Sequence, residues 1–272
     1  MPELPEVEVT KKGIEPYLQG AVISDLVHDE KQLREPYSKD MRAIIGGRVT
    51  AVERRAKYII IRTDRGALIL HLGMTGHLRV LSQNDQSGPH DHFSLFLDSG
   101  TVIRFNDIRR FGLIVYVGPD EDPLEDKHLS GLGPEPFDAK FDEGYLFNAL
   151  HRRKLPVKQS LMDNKVVVGV GNIYASEVLF KVGISPLRKS YEVKKNECRA
   201  LCQAIRETLT ESIAKGGTTI RDFSGADGKM GYFVQDLFVY GHKGQPCRKC
   251  GTTITSLVQG GRSTFYCPHC QK

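Results

Sequence analysis

The 272-residue sequence has no apolar run long enough to span a bilayer, and its N-terminus lacks the basic-then-apolar layout of a secretory signal. Both absences exclude a helical membrane protein and a secreted one, so a cytoplasmic protein is expected. There is no internal repeat and no low-complexity tract, which leaves ordinary folded domains, and the length suits two of them. Excess charge is also scarce, the formal net value being +5. It is unevenly placed, however. Residues 1–130 hold 17 Lys and Arg against 20 Asp and Glu, a net of −3, whereas residues 131–272 hold 21 against 13, a net of +8. A basic second half favours a polyanionic partner.

What is present falls into two patterns. From Ala21 to Val117 short β runs follow one another: "AVISDLV", "RVTAVERR", "YIIIRT", "ALILHL", "HFSLFL", "TVIRF" and "GLIVYV". Gly46 with Gly47, "DRG" at 64–66 and "DSG" at 98–100 separate them, and the last predicts a hairpin. Such spacing indicates a sandwich or barrel. After the acidic, Pro-containing "GPDEDPLED" the period turns helical, in "NIYASEVLFKVG" and in "KKNECRALCQAIRETLTESIAKGG". In the longer segment Cys198, Leu201, Cys202, Ile205, Leu209 and Ile213 share one face, so these two cysteines are expected in the core.

The other four cysteines are spaced for a metal. Cys247 and Cys250, then Cys267 and Cys270, form two C-x2-C knuckles separated by sixteen residues. Four thiolates complete a closed tetrahedral zinc site with no open position, so the single zinc is structural and His269 is not needed. Disulfides are the alternative, less expected in the cytosol. Between the knuckles, two β runs around Gly260 and Gly261 place Arg262 near the tip of a ribbon, either as a solvated turn residue or as a phosphate contact. "GVGN" at 169–172 is expected to open a helix with Asn172 as its N-cap, an arrangement suited to anions.

The opening "MPELPEVEVT" raises a different question. Pro5 suits a first helical turn, and Glu6 and Glu8 sit near the positive end of the dipole, with Val7, Ile14 and Leu18 on the apolar face. Pro2 and Glu3 remain unexplained by a helix start. If Met1 is trimmed, Pro2 presents a terminal amine with a pKa near 8, of which roughly a fifth is unprotonated at pH 7.4, against about a thousandth of a lysine. Attack of that secondary amine on an aldehydic carbon gives an iminium ion, an electron sink for elimination, and Glu3 beside it can move protons.

Together "PELPEVE", "RRAKY", "HLGMTG", "RRFG", "LMDNKVVVGVGNIYASE" and the terminal cysteine hairpin resemble the formamidopyrimidine-DNA glycosylase family, over Pro2 to Lys272. "PELPEVE" and "RRFG" set it apart from the related endonuclease VIII. The resemblance implies an α+β multidomain protein: an N-terminal β-sandwich with an N-terminal helix at 1–130, a helix-two-turn-helix domain at 131–235 and a zinc β-hairpin finger at 236–272. It implies a bacterial, monomeric, nucleoid-associated enzyme of base excision repair. Its partner is duplex DNA carrying oxidised purines or abasic sites, and its cofactor one structural Zn²⁺. Pro2 would attack C1′ and Glu3 would act as acid and base. Lys57 would contact phosphate and lesion, and Lys158, Asn172 and Arg262 would clamp the backbone, with His90 a further DNA contact. Met74, Arg109 and Phe111 would fill the gap left by an extruded nucleotide, Arg109 facing the orphaned cytosine. Their physical fit is good, because an unfilled hole in the stack costs a few kcal/mol. The spacing of two between Arg109 and Phe111 would aim both the same way on an extended turn. Residues 218–233 occupy the place of a lesion-recognition loop.

Two other readings differ from this one at the N-terminus. A nonenzymatic zinc-hairpin DNA binder would be favoured by altered residues at positions 2 or 3, and a proline tautomerase would need neither the hairpin nor this length.

Overall fold

A computed structural model describes residues 1–217 and 237–272. The expected loop at 218–233 lies outside the described residues. The chain forms two compact units: Met1–Gly131 with the described residues 215–217, and Leu132–Ala214 with the described part of Gln235–Lys272.

The first unit starts with α1 (Leu4–Leu18), whose Val7, Ile14 and Leu18 are fully buried, as their spacing predicts. Eight strands follow: β1 (Ile23–His28), β2 (Val49–Arg55), β3 (Tyr58–Thr63), β4 (Gly66–His71), β5 (His77–Ser82), β6 (Asp91–Leu97), β7 (Thr101–Asn106) and β8 (Leu113–Val117). They make two antiparallel sheets, β1-β6-β7-β5 and β2-β3-β4-β8. Inward residues of both, among them Leu26, Val52, Ile61, Leu70, Leu95 and Phe105, join the α1 stripe in one core. Tight turns set the registers, Asp64–Arg65 between β3 and β4 and the "DSG" segment between β6 and β7, where Gly100 takes φ +79°. β5 is the strand that the β-run reading lacks. It lies at a sheet edge with only Leu78 fully buried, so "HLRVLS" carries the polar residues that an edge tolerates.

In the second unit α2 (Glu143–His151), α3 (Val157–Leu161), α4 (Asn172–Val182) and α5 (Lys195–Ala214) pack together, with two successive turns joining α3 to α4. α5 buries Cys198, Leu201, Cys202, Ile205 and Leu209. Ile213, expected on the same face, is only half-buried. Ser212 takes the interior position instead, its hydroxyl 2.6 Å from that of buried Tyr174. α4 ends at Gly183 in the left-handed conformation, φ +74°. The ribbon β9 (Thr255–Gln259) and β10 (Arg262–Tyr266) belongs to this unit: Phe180 of α4 packs with Val239, Cys247, Ile254 and Cys267.

Candidate active site and nucleic-acid interface

The N-terminal stretch folds as a capping box. Glu3 is the N-cap of α1, its carboxylate accepting from the Glu6 N–H while Glu6 Oε2 accepts from the Glu3 N–H at 2.8 Å. Pro2 is buried beside it and Glu3 is 1 % exposed. Glu8 has a separate task. Its Oε2 accepts from Arg54 Nε at 2.7 Å, and Arg54 Nη1 donates to Ala56 O at 3.1 Å, which pins the β2–β3 turn to α1. That turn has two residues, Ala56 at φ +55° and Lys57, so an alanine holds a conformation normally left to glycine.

Lys57 lies close enough to His71 to act on it electrically. Burial, with Arg34, Lys57 and His128 nearby, pushes the His71 imidazolium down to about 3, so the ring is neutral. Its Nδ1 accepts from the Gly73 N–H at 2.9 Å, which leaves the hydrogen on Nε2. From Gly73 the chain turns through Met74 and Thr75 against the loop 107–112. A Cβ on Gly73 would stand 2.5 Å from the Phe111 carbonyl carbon, so the two backbones touch and only glycine fits.

Asp107 organises this contact. Fully buried, it accepts from the Thr75 hydroxyl at 2.5 Å, from the Gly112 N–H at 2.8 Å and from the Arg109 N–H at 3.2 Å. Arg110 takes φ +55° and turns away to Asp29 Oδ2 at 2.5 Å, an oxygen shared with His92 Nδ1 at 2.8 Å. Arg109 lies 4.7 Å from the centroid of the Phe111 ring, a cation–π distance. The pairing expected from an extended turn therefore arises from a left-handed residue between the partners. Met74 at 38 % and Phe111 at 43 % exposure present apolar surface outward, with Ile108 beside them at 60 %. His90, also exposed, is the third non-glycine residue at positive φ, +68°, held in a turn whose Asp91 accepts from Asn106, Gly88 and Arg79.

The second unit brings Lys158, Asn172 and the base of the ribbon together. Lys158 is 1 % exposed, and its ammonium donates to Asn172 Oδ1 at 2.6 Å, Thr264 Oγ1 at 2.7 Å and Ser263 O at 3.3 Å. Asn172 Nδ2 donates to Ser263 O at 3.0 Å. The N-cap of α4 is Gly171 rather than Asn172, because the asparagine side chain is engaged in this junction. Gly169 and Gly171 are themselves buried. Arg262 follows the Gly260–Gly261 turn, φ +54° and +74°, and is exposed, as the ribbon reading expects.

The four sulfurs of Cys247, Cys250, Cys267 and Cys270 lie within 4.8 Å of one another, with Cys247 to Cys270 at 3.9 Å and Cys250 to Cys267 at 3.5 Å. A tetrahedral site with Zn–S near 2.3 Å has S···S edges of about 3.8 Å, whereas a disulfide needs about 2.05 Å. The set therefore fits one structural zinc, and His269 is exposed and outside it.

Three family models match the chain: the formamidopyrimidine-DNA glycosylase N-terminal domain over residues 1–114, its H2TH domain over 132–224, and a zinc finger found in FPG and IleRS over 244–272. The formamidopyrimidine-DNA glycosylase of Alteromonas mediterranea is 48 % identical, with all of both chains covered. The chain belongs to the formamidopyrimidine-DNA glycosylase family. Two solved members, each 30 % identical over all of both chains, agree in fold. One is MutM in complex with carbocyclic 8-oxo-G containing DNA, at a TM-score of 0.90. The other is a mutant of the Lactococcus lactis FPG in complex with Fapy-dG containing DNA, at 0.91.

Some residues that shape this candidate site are absent from the sequence reading. Asp107, Thr75 and His71 stand inside or beside the quoted motifs, but only tertiary hydrogen bonds reveal their tasks. Glu177, 5 % exposed, accepts from the N–H groups of Phe238, Val239 and Tyr240 at 2.8–3.0 Å and so fastens the chain entering the zinc ribbon to α4. Burial pushes its carboxyl up, and the three donors oppose that.

Proposed function

We propose that this chain works as its family does: a bifunctional DNA glycosylase and AP lyase of base excision repair that removes 8-oxoguanine and formamidopyrimidines from duplex DNA. The observation that carries the mechanism is the N-terminus, where Pro2 and the capped Glu3 are buried together at the start of α1 and tied through Glu8 and Arg54 to the Lys57 turn.

Once Met1 is removed, the Pro2 nitrogen uses its lone pair to bond C1′ as the glycosidic bond breaks, and that bond's electrons leave with the base, which takes up a proton. Opening of the sugar gives the iminium ion. Loss of a C2′ proton then expels the 3′ phosphate, and a second elimination expels the 5′ phosphate, leaving a one-nucleotide gap. Glu3 serves as the acid and base in these transfers, and its place at the helix N-terminus favours the anion it must become. Lys57 contacts phosphate. Met74, Arg109 and Phe111 enter the vacated stack, with the guanidinium turned to the acceptor edge of cytosine.

Lys158 acts through its neighbours as a positioning residue, orienting Asn172 and the strand that carries Arg262. Borohydride trapping on duplexes with a single 8-oxoguanine tests the reading. The wild type, processed to Pro2, should form a covalent adduct and Pro2→Gly should not, while duplex binding persists in both. A Pro2→Gly variant that excises and traps like the wild type removes Pro2 from the chemistry.

A further inference from the structure

α2 ends at His151, and the next three residues, Arg152, Arg153 and Lys154, are all basic. Cations at a helix C-terminus ordinarily answer its dipole. Here Arg153 alone does so, donating from Nη1 to Ala149 O at 2.8 Å and from Nη2 to Asp163 Oδ2 at 3.2 Å. Arg152 and Lys154 point elsewhere. With His151, Lys189 and Tyr191 they line an open pocket of about 590 Å³ that has no acidic residue in its wall. Arg152, Lys154 and Lys189 are exposed, and no ion pair engages them among the described residues. The neighbouring carboxylate, Glu192, accepts from the backbone N–H of Lys189.

The backbone holds this cluster together. Pro156 and Lys189 form an antiparallel bridge, and the Ser190 N–H and hydroxyl both donate to Leu155 O, at 2.9 and 2.7 Å. Leu155, next in sequence to Lys154, lines a second pocket of about 410 Å³ together with Asp163, Gln259 and Arg262, the Asp163 carboxylate there being met by Arg153. From Lys154 to Lys158 the chain reaches no more than about 14 Å. A DNA strand advances about 3.4 Å along the axis per phosphate.

We propose that the Arg152–Lys154–Lys189 pocket is a second site for the DNA backbone, taking phosphates of the same duplex a few nucleotides from the one held at Arg262. The proposal rests on the clamp reading of Arg262 given above. The direct chain link from Lys154 to Leu155 of the Arg262 pocket favours duplex DNA over an acidic protein segment as occupant, and guanidinium and ammonium groups outside any ion pair are the donors that phosphate oxygens require.

Salt titrations of binding test this, using duplexes that carry a tetrahydrofuran abasic analogue at fixed position and are progressively shortened from either end. For the variant with Arg152→Ala, Lys154→Ala and Lys189→Ala, the slope of log K against log salt on the longest duplex should fall by roughly 2 to 3, at about 0.9 per phosphate contact. Shortening the duplex on one side only should abolish the difference between variant and wild type. Equal slopes on the longest duplex overturn the proposal. A loss independent of duplex length also overturns it, since that is the mark of general charge or of a pocket meant for another polymer. Borohydride trapping of the wild type on the same duplexes reads the catalytic function separately, so failure of one reading is distinguishable from failure of the other.

Discussion

In the first unit, the loop 107–112 keeps Arg109 and Phe111 at the surface on backbone that is locally unfavourable, with Arg110 left-handed and Asp107 buried beneath. In the second, the junction behind Arg262 rests on an ammonium at 1 % exposure, backed by a metal site. Positive φ at a non-glycine residue costs on the order of 1 kcal/mol, and carboxylate-to-backbone bonds offset it locally. A buried ammonium is costlier by far if any of its partners is lost. The Arg109–Phe111 loop thus rests on many small contacts that can fail one at a time. The junction behind Arg262 rests on a few that fail together.

Removal of the metal should break this contrast most severely. Structural zinc contributes about 10 kcal/mol or more to small zinc modules. Chelation, or Cys270→Ser, should unfold the ribbon and abolish DNA binding, while the sandwich of the first unit keeps its β-sheet circular dichroism. Metal analysis finding less than one zinc per chain in protein that still binds DNA contradicts it.

Lys158→Met comes next. Methionine fills the space but leaves Asn172 Oδ1 and Thr264 Oγ1 without their donor, at a cost of about 3 kcal/mol in unfolding free energy. Binding to damaged and undamaged duplexes should weaken alike, by roughly tenfold, a loss of about 1.4 kcal/mol in binding free energy. A direct, lesion-dependent phosphate role for Lys158 would show instead as a selective loss on damaged DNA.

Asp107→Asn should have the smallest effect on stability, about 2 kcal/mol, since an amide replaces one acceptor oxygen with a donor facing N–H groups. The informative readout is the ratio of 8-oxoguanine excision opposite cytosine to that opposite adenine in single turnovers. It should fall toward unity as Arg109 loses its fixed place, with binding to undamaged duplex unchanged. A change in melting temperature with that ratio intact would make Asp107 a stability residue only.

Local signals explain what is legible in the sequence. Val7, Ile14 and Leu18 declare their helix by period, the C-x2-C pairs declare their metal, and Gly260–Gly261 declares the turn before Arg262. What stays hidden depends on partners distant in sequence. Glu8 reads as a dipole residue until Arg54, 46 positions on, is seen to claim it. Asn172 reads as a cap until Ser263, 91 positions away, takes its amide. Lys158 is named a backbone clamp by the resemblance alone, and no local signal in the sequence announces that Asn172 and Thr264 take its buried ammonium. β5 is illegible because an edge strand needs little apolar alternation.

The three non-glycine residues at positive φ among the described residues also bear on how such a protein can be re-engineered by transplanting loops. Ala56, His90 and Arg110 each sit within or beside a motif proposed to meet DNA, and each conformation leans on residues beyond that motif: Glu8 acting through Arg54, Asn106 acting through Asp91, and Asp29 with Asp107. A motif grafted alone into a relative would relax to ordinary backbone and aim its side chain elsewhere. The transferable part is the motif with its anchors, so chimeras that exchange "RRFG" without Asp29 should inherit the letters of the donor and not its geometry.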